Sequence, residues 1–579
     1  MNEHAMLHMP DSKYCFPVGE REVILRLRMA REDEKAKVSL IYGCKYEFHE
    51  RRHKVLMEIK YTDRLYHYYE IRLKLEDVRL AYVFQIESNH NIYYFCEDGL
   101  TESYNFAEGF YNFFQLPYIN SNDVMPVVDW MKQAVFYQIF VDRFCMGNQK
   151  KDKSYINMRW DERPTPKSFA GGDLRGIIEK LDYLSDLGIT AIYLTPIFQS
   201  VSNHKYDTID YLTIDPQFGT KEDFAELVNK AHAKNIRVVL DAVFNHCSMH
   251  MRQFADVVRK GVESKYYDWF LIDGAFPDLE KCNYECFAAC NYMPKLNTAN
   301  EKVQEFLIEI ALYWIREFDI DGWRLDVSDE ISHMFWRKFR EAVKKEKADA
   351  VIIGENWHDA YPYLQGEQYD SIMNYAFTKA CLDYIARGNF DAAQMAEKLN
   401  ANLMRNTEQV NRMMLNLLDS HDTHRFFTEV NKDKDKLLAA LALMMLFPGA
   451  PCIYYGTEIC LEGGYDPDSR RSFCWDETTW DKDVMAKIKE LTHLRVSPVI
   501  AEGDIRIYEQ SRMLVLQRAY EGQTLKLFIN MSETSEAITL DADKNISILC
   551  HNHAGACGKD NSLAEFVVEN GGFAVIKEG

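Results

Sequence analysis

At 579 residues the chain is too long for a single hydrophobic core, so two to four domains are expected. A composition of 47% hydrophobic and 27% charged residues is that of an ordinary globular protein. The net charge of −21 repels phosphate backbones and argues against nucleic acid as a partner, whereas a neutral ligand is indifferent to it.

The chain opens with MNEHAMLHMPDSKYC, which lacks the basic start and apolar core of a signal peptide, so a cytoplasmic location is expected. Residues 21–29 (REVILRLRM), 37–43 (KVSLIYG), 68–75 (YYEIRLKL) and 81–88 (AYVFQIES) alternate apolar and polar side chains between turn residues. They predict an N-terminal β-sandwich over 1–122, closed by the polar, Pro-ending INSNDVMP (119–126).

From 123 to 500 short apolar strands alternate with amphipathic helices. The strands are VFYQIF (135–140), ITAIYLTP (189–196), IRVVLDAVFNH (236–246), IDGWRLDV (320–327), AVIIGENW (350–357), SIMNY (371–375), MMLNLLDSHD (413–422) and PCIYYGTE (451–458). Between the third and fourth, Val303, Phe306, Leu307, Ile310 and Trp314 keep helical spacing. Eight strands, each followed by a helix, predict a (β/α)8 TIM barrel. The gap after the third strand is far longer than a normal connection and predicts a small inserted domain B, about 247–298. Within it Cys282, Cys286 and Cys290 recur every fourth residue, as on one helix face. No fourth ligand follows at zinc spacing, so buried or idle thiols are expected there. The longest apolar run, 437–447, is about half a membrane span, and no membrane association is expected. Alternation returns after 501 and predicts a second, smaller β-sandwich over 501–579.

In such a barrel the chemistry sits at the C-terminal ends of the strands. Asp241, Asn245 and His246 end the third strand, Arg324 and Asp326 the fourth, Glu355 with Trp357 the fifth, and Asp419, His421 and Asp422 the seventh. Arg324 and Asp326 are two apart, so on a strand they share one face. Alone they read equally well as a buried structural pair. Several carboxylates on one rim, however, cannot all ionise independently; their pKa values are driven apart into an acid and a base. Glycoside hydrolysis needs that pairing.

DAVFNH (241–246), DGWRLDV (321–327), GENW (354–357) and LLDSHD (417–422) resemble, in order and spacing, the four short motifs of the α-amylase family, glycoside hydrolase family 13. YQIFVDRF (137–144), HKYDTIDYLTIDPQFG (204–219), MPKLN (293–297) and GYDPDSRR (464–471) resemble the subgroup of neopullulanases, cyclomaltodextrinases and maltogenic amylases. The resemblance implies retaining hydrolysis of α-1,4-glucosidic bonds in cyclodextrins, maltooligosaccharides and pullulan, with transglycosylation or a glucanotransferase using the same site as the alternative. A non-catalytic amylase-like protein is a distant third. It implies Asp326 as nucleophile, Glu355 as general acid/base and Asp422 as the third carboxylate. His246, His421, Arg324 and Asp241 are implied around the sugar in subsite −1, with Tyr206 as its platform. Asp466 and Arg470 are implied beyond it, and Phe287, Glu330 and Trp357 on the acceptor side. A homodimer in which the N-terminal domain lids the partner's site is also implied. Two departures stand out: Val141 replaces the usual Pro, and Ser328-Asp329 replaces Ala-Asn, adding a negative charge beside the acceptor site.

Many subgroup members carry a calcium loop after the first barrel strand. Here that loop reads MGNQKKD (146–152), with GGD at 171–173. Asn148, Asp152, the Gly171 carbonyl and Asp173 retain oxygens, but Lys151 brings a cation where the pattern has Asn. The expectation is that the Lys151 ammonium, among Asp152 and Asp173, substitutes for the metal, and that no cofactor is required; the alternative is that Lys151 swings into solvent and a weak calcium site persists.

Overall fold

The computed structural model describes residues 1–541, 546–557 and 563–578. The N-terminal region is two packed antiparallel sheets. One orders Cys15–Gly19, Glu22–Ala30, Tyr66–Lys74 and Glu58–Thr62; the other is built on Lys37–Gly43, Leu80–Ser88 and Asn91–Cys96. Alternate residues point into the space between them: Val23, Leu25 and Leu27 from one sheet meet Val38, Leu40, Tyr82, Phe84 and Ile86 from the other.

The centre is a parallel eight-stranded barrel. Its strands are β1 (Phe136–Ile139), β2 (Ala191–Leu194), β3 (Arg237–Ala242), β4 (Gly322–Leu325), β5 (Val351–Gly354), β6 (Ser371–Ile372), β7 (Leu415–Leu417) and β8 (Ala450–Tyr454). Hydrogen bonding runs β6-β5-β4-β3-β2-β1-β8-β7, and a parallel bridge from Met373 to Leu415 closes the ring. Every second residue faces the lumen. Phe136, Ala191, Val239, Val351, Leu415 and Ala450 fill its lower layers with apolar atoms. The next lumen positions on β1 to β4 carry Gln138, Tyr193, Asp241 and Arg324, so the lumen turns polar toward its C-terminal mouth.

The helix predicted between the inserted segment and β4 spans Glu301–Phe318, capped by the Asn300 side chain, with Val303, Leu307, Ile310 and Trp314 buried on one face. The expected helix after β5 does not form. Residues 355–370 contain one 3-10 turn, Tyr361–Tyr363, because this stretch carries Pro362 and Gly366 and has no helical apolar period. In the inserted segment the helix Arg252–Lys260 is followed by isolated antiparallel bridges, Ile272 to Tyr284 and Cys286 to Pro294, which return the chain to the barrel rim where Lys295 pairs with His246. The three cysteines therefore share no helix face. Cys282 is left-handed, at φ 52°, and the Sγ atoms of Cys282 and Cys286 lie 3.8 Å apart.

The C-terminal region wraps one sheet into two layers. The long strand Leu563–Glu578 pairs with Gln523–Ile529 through its end and with Glu536–Asp541 through its start, bending near Gly571 at φ 76°. Met513, Val515, Phe528, Phe566 and Ile576 are packed together in this core. All three regions meet at Asn400 on the helix Ala392–Leu403, whose amide donates to Thr62 O at 3.0 Å and Ile507 O at 3.1 Å.

Candidate active site

Arg324 stands at the centre of the mouth. Nη1 donates to both oxygens of Asp241 at 3.1 Å and to Asp326 Oδ1 at 2.9 Å. Nη2 lies 2.9 Å from Glu355 Oε2 as an ion pair. One buried guanidinium thus holds the carboxylates of three neighbouring strands. Burial pushes Asp326 well above the ordinary carboxylate range, Arg324 pulls it down, and the Glu355 and Asp241 charges push it up again. Burial likewise pushes Asp241 up to about 6, against the pull of Arg324 and the hydroxyls of Tyr193 and Tyr206 that donate to Oδ2. Asp326 Oδ2 and His246 Nε2 lie 3.9 Å apart, and neither has a hydrogen-bond partner among the described residues.

Glu355 follows β5 directly. A Cβ on the preceding Gly354 would meet the Tyr369 ring at 2.6 Å, so glycine is what lets that ring pack against the end of β5. Glu355 Oε2 accepts from the Val327 amide at 3.0 Å and Oε1 from Trp357 Nε1 at 3.2 Å. Ser328 Oγ donates to the Glu355 carbonyl at 2.6 Å, tying the ends of β4 and β5 together. Trp357 is half-exposed and stacks on Tyr375 with ring centroids 3.7 Å apart.

On the opposite side His421 Nε2 lies 2.7 Å from Tyr206 Oη and 3.2 Å from Asp422 Oδ2, and the His421 and Tyr206 rings are parallel. Arg470 clamps this edge: Nε donates to the His421 carbonyl at 2.9 Å, Nη2 to Asp422 at 3.3 Å, and Nη1 pairs with Asp466 at 3.0 Å. Burial raises the pKa of Asp422, opposed first by Arg470. On the third side Phe287 stacks on His246, with centroids 4.8 Å apart. Lys295 Nζ bridges Asn245 and Glu330, reaching Glu330 at 2.9 Å. Burial, helped by Lys295, pushes His246 down to about 3, so its ring is neutral. Asp419 is not in this constellation; its carboxylate caps the Phe426 amide at 2.7 Å.

The residues expected at the site therefore converge in three groups around one mouth: Asp241, Arg324, Asp326 and Glu355; Tyr206, His421, Asp422, Asp466 and Arg470; His246, Phe287 and Glu330. Sequence reasoning missed Gln138, Tyr193 and Lys295. For the first two a signal existed, since they stand two residues above the lumen positions Phe136 and Ala191.

The loop 146–152 departs from its expected form. Lys151 Nζ donates to the carbonyls of Gly171 at 2.6 Å, Gln217 at 2.9 Å and Gly172 at 3.4 Å, and pairs with Asp173 at 3.0 Å. Asp173 belongs there, but Asp152 does not: both its oxygens accept from Ser154, while Asn148 Oδ1 accepts from Lys150 N. Each short side chain closes its own turn because a backbone N–H lies two residues on. The ammonium already takes up the Gly171 carbonyl and the Asp173 carboxylate, and Asp152 and Asn148 are turned to their own backbone, so the residues as arranged do not fit a calcium ion. Among the described residues no group of three or more His, Cys, Asp or Glu is placed to hold a metal.

The sequence profile described as "Alpha amylase, catalytic domain" matches residues 138–495, and that described as "Alpha amylase, N-terminal ig-like domain" matches 1–120. The chain belongs to the alpha-amylase family. Cyclomaltodextrinase from Thermoanaerobacter pseudethanolicus is 42% identical over 545 residues, 93% of this chain and 94% of that protein. Intracellular maltogenic amylase from Bacillus subtilis is 40% identical over 564 residues, 95% of each. A solved cyclomaltodextrinase structure superposes with a TM-score of 0.92 at 35% identity, covering 100% of both chains. As a member of this family the chain is a glycoside hydrolase. Of its departures from the family pattern, Val141 has a simple account. It is the first residue of the short helix Val141–Phe144, where a proline would leave no hydrogen bond unmade. Asp329 is exposed; partial burial and the nearby Glu355 and Glu330 charges raise its carboxyl.

Proposed function

We propose that the chain hydrolyses α-1,4-glucosidic bonds of cyclodextrins, maltooligosaccharides and pullulan with retention of configuration. The observation that carries this reading is the shared grip of Arg324 on Asp326 and Glu355. A retaining mechanism needs a nucleophilic carboxylate and an acid/base carboxyl about 5–5.5 Å apart on one site. Asp326 Oδ2, unpartnered among the described residues, attacks the anomeric carbon. Glu355 protonates the departing oxygen, and a glycosyl-enzyme forms. Glu355 then takes a proton from water, or from a second sugar hydroxyl, which attacks and releases Asp326. Asp422, His421 and His246 hold the sugar hydroxyls as the ring flattens, with Tyr206 beneath. Trp357, Phe287 and Glu330 line the acceptor side, where Asp329 adds charge that tunes water against sugar as the second nucleophile.

The protein acts in the cytoplasm as a homodimer, with residues 1–122 lidding the partner's cleft and favouring cyclodextrins over starch. Among the described residues no helix is long and apolar enough to cross a membrane. Product analysis on β-cyclodextrin, pullulan, maltotriose and soluble starch side by side tests the reading. Maltose and glucose from cyclodextrin, with starch turned over more slowly, are expected. Equal rates on all four, or products longer than the substrate as the main output, would contradict it and favour the glucanotransferase.

A further inference from the structure

His421 is held in one tautomer by a group to which no role has yet been given. Two acceptors face its Nε2. Asp422 accepts when ionised, and Tyr206 already donates its hydroxyl proton to Asp241 at 3.0 Å, so it must accept from the ring at 2.7 Å. Both demand a proton on Nε2. Burial, with Arg470 and Arg324 adding to it, drives the ring's pKa well below the ordinary value, against the pull of Glu355 and with His204 also opposing protonation. The ring is therefore neutral, its one proton is on Nε2, and Nδ1 is an acceptor. Gln138 Nε2 lies 2.7 Å from Nδ1. Gln138 is fully buried in the barrel lumen, and its Oε1 has no partner among the described residues. An unpaired buried amide oxygen is unfavourable, and an apolar side chain at this lumen position would avoid it.

We propose that Gln138 is a positioning residue: by donating to Nδ1 it fixes His421 as the Nε2–H tautomer and so keeps a hydrogen-bond donor aimed at Asp422 and the bound sugar. The inference rests on the glucan-hydrolase reading, and its test separates the two. A purely space-filling glutamine would predict that only shape matters.

Gln138→Met keeps the shape without the donor, and Gln138→Glu replaces the donor with an acceptor. Both are compared with the wild type on β-cyclodextrin across pH. Gln138→Met should melt near the wild type and lose roughly tenfold in kcat/KM at every pH, one hydrogen bond's worth. Gln138→Glu should gain a new loss on the alkaline side. Below the raised His421 pKa the ring carries both protons and still donates from Nε2; above it the single proton moves to Nδ1 beside the glutamate, and donation ends. Nitrogen NMR of 15N-histidine-labelled wild type, assigned with His421→Gln, should show a bare Nδ1. That readout holds even if the glutamate variant does not fold. A protonated Nδ1 in the wild type overturns the proposal, as do folded variants within twofold of wild type with its pH profile. A wild type inactive on every glucan would instead refute the hydrolase reading and leave the NMR result standing.

Discussion

Arg324 is buried among three carboxylates that it alone draws together, which makes each of them sensitive to its loss. Removing one partner of a buried charge cluster costs about 3–5 kcal/mol, so Arg324→Met should lower the melting temperature as well as activity. The cluster also separates the pH dependence of activity from that of stability. Asp241 titrates at about 6, and Asp326 is raised above the ordinary carboxylate value of about 3.9. A carboxyl raised on folding takes up its proton more readily in the native state, so this cluster contributes stability as pH falls through 6. Activity also falls on acidification, because on the proposed mechanism Asp326, itself raised, must be ionised to attack. The depressed carboxylates act the other way: Asp321, pulled down to about 2 by His232 and Lys347, contributes stability above the ordinary value and loses it as pH falls toward 2. Activity should therefore be lost on acidification, above the ordinary carboxylate range and with the fold intact, as measured by pH–rate profiles beside circular dichroism. Coincident midpoints would contradict this. At the same scale, Glu355→Gln should lower kcat roughly 10²–10⁴-fold, the usual contribution of a general acid, with the melting temperature little changed.

The loop 146–152 is held to the barrel through Lys151. The Lys151 side chain is only 7% exposed, and burial lowers its pKa against the pull of Asp173. Chelation with EDTA should leave activity and melting temperature unchanged. Lys151→Asn, which restores the subgroup's residue, should lower the melting temperature by an amount that added calcium recovers. A wild type that loses stability in EDTA would show that the ion binds after all. Elements also show what was legible in the sequence. The barrel strands were, because lumen alternation puts Phe136 and Gln138, or Gly322 and Arg324, on one side, and the candidate carboxylates Asp326 and Glu355 follow β4 and β5 directly. The missing helix after β5 was not, because strand counting assumed a repeat that Pro362 and Gly366 break. The cysteine trio misled in the same way. Spacing by four reads as a helix, but the bridges of Tyr284 and Cys286 hold that segment extended. Lys295 is far from its partners Asn245 and Glu330 in sequence, and only the fold of the inserted segment brings them together.

At the scale of the molecule, three sheet-and-barrel units are clasped by polar contacts. Arg26 reaches the Asn406 carbonyl, Arg72 pairs with Glu408, and Lys60 pairs with Asp504. The N-terminal unit also touches the β5–β6 connection through Lys13 and Tyr361. For the proposed lid, light scattering should report a dimer at working concentrations; a monomer with the same preference for cyclodextrin over starch would remove that role. On the proposed mechanism Asp326 forms a glycosyl-enzyme while Glu355 acts as acid and base. A fluorinated maltosyl fluoride, which forms that intermediate and then hydrolyses slowly, tests it most directly by intact mass and peptide mapping of the trapped enzyme. One maltosyl unit attached to Asp326, absent in Asp326→Asn, is the predicted result; an active wild type that carries no adduct, or carries it on another residue, would contradict the account.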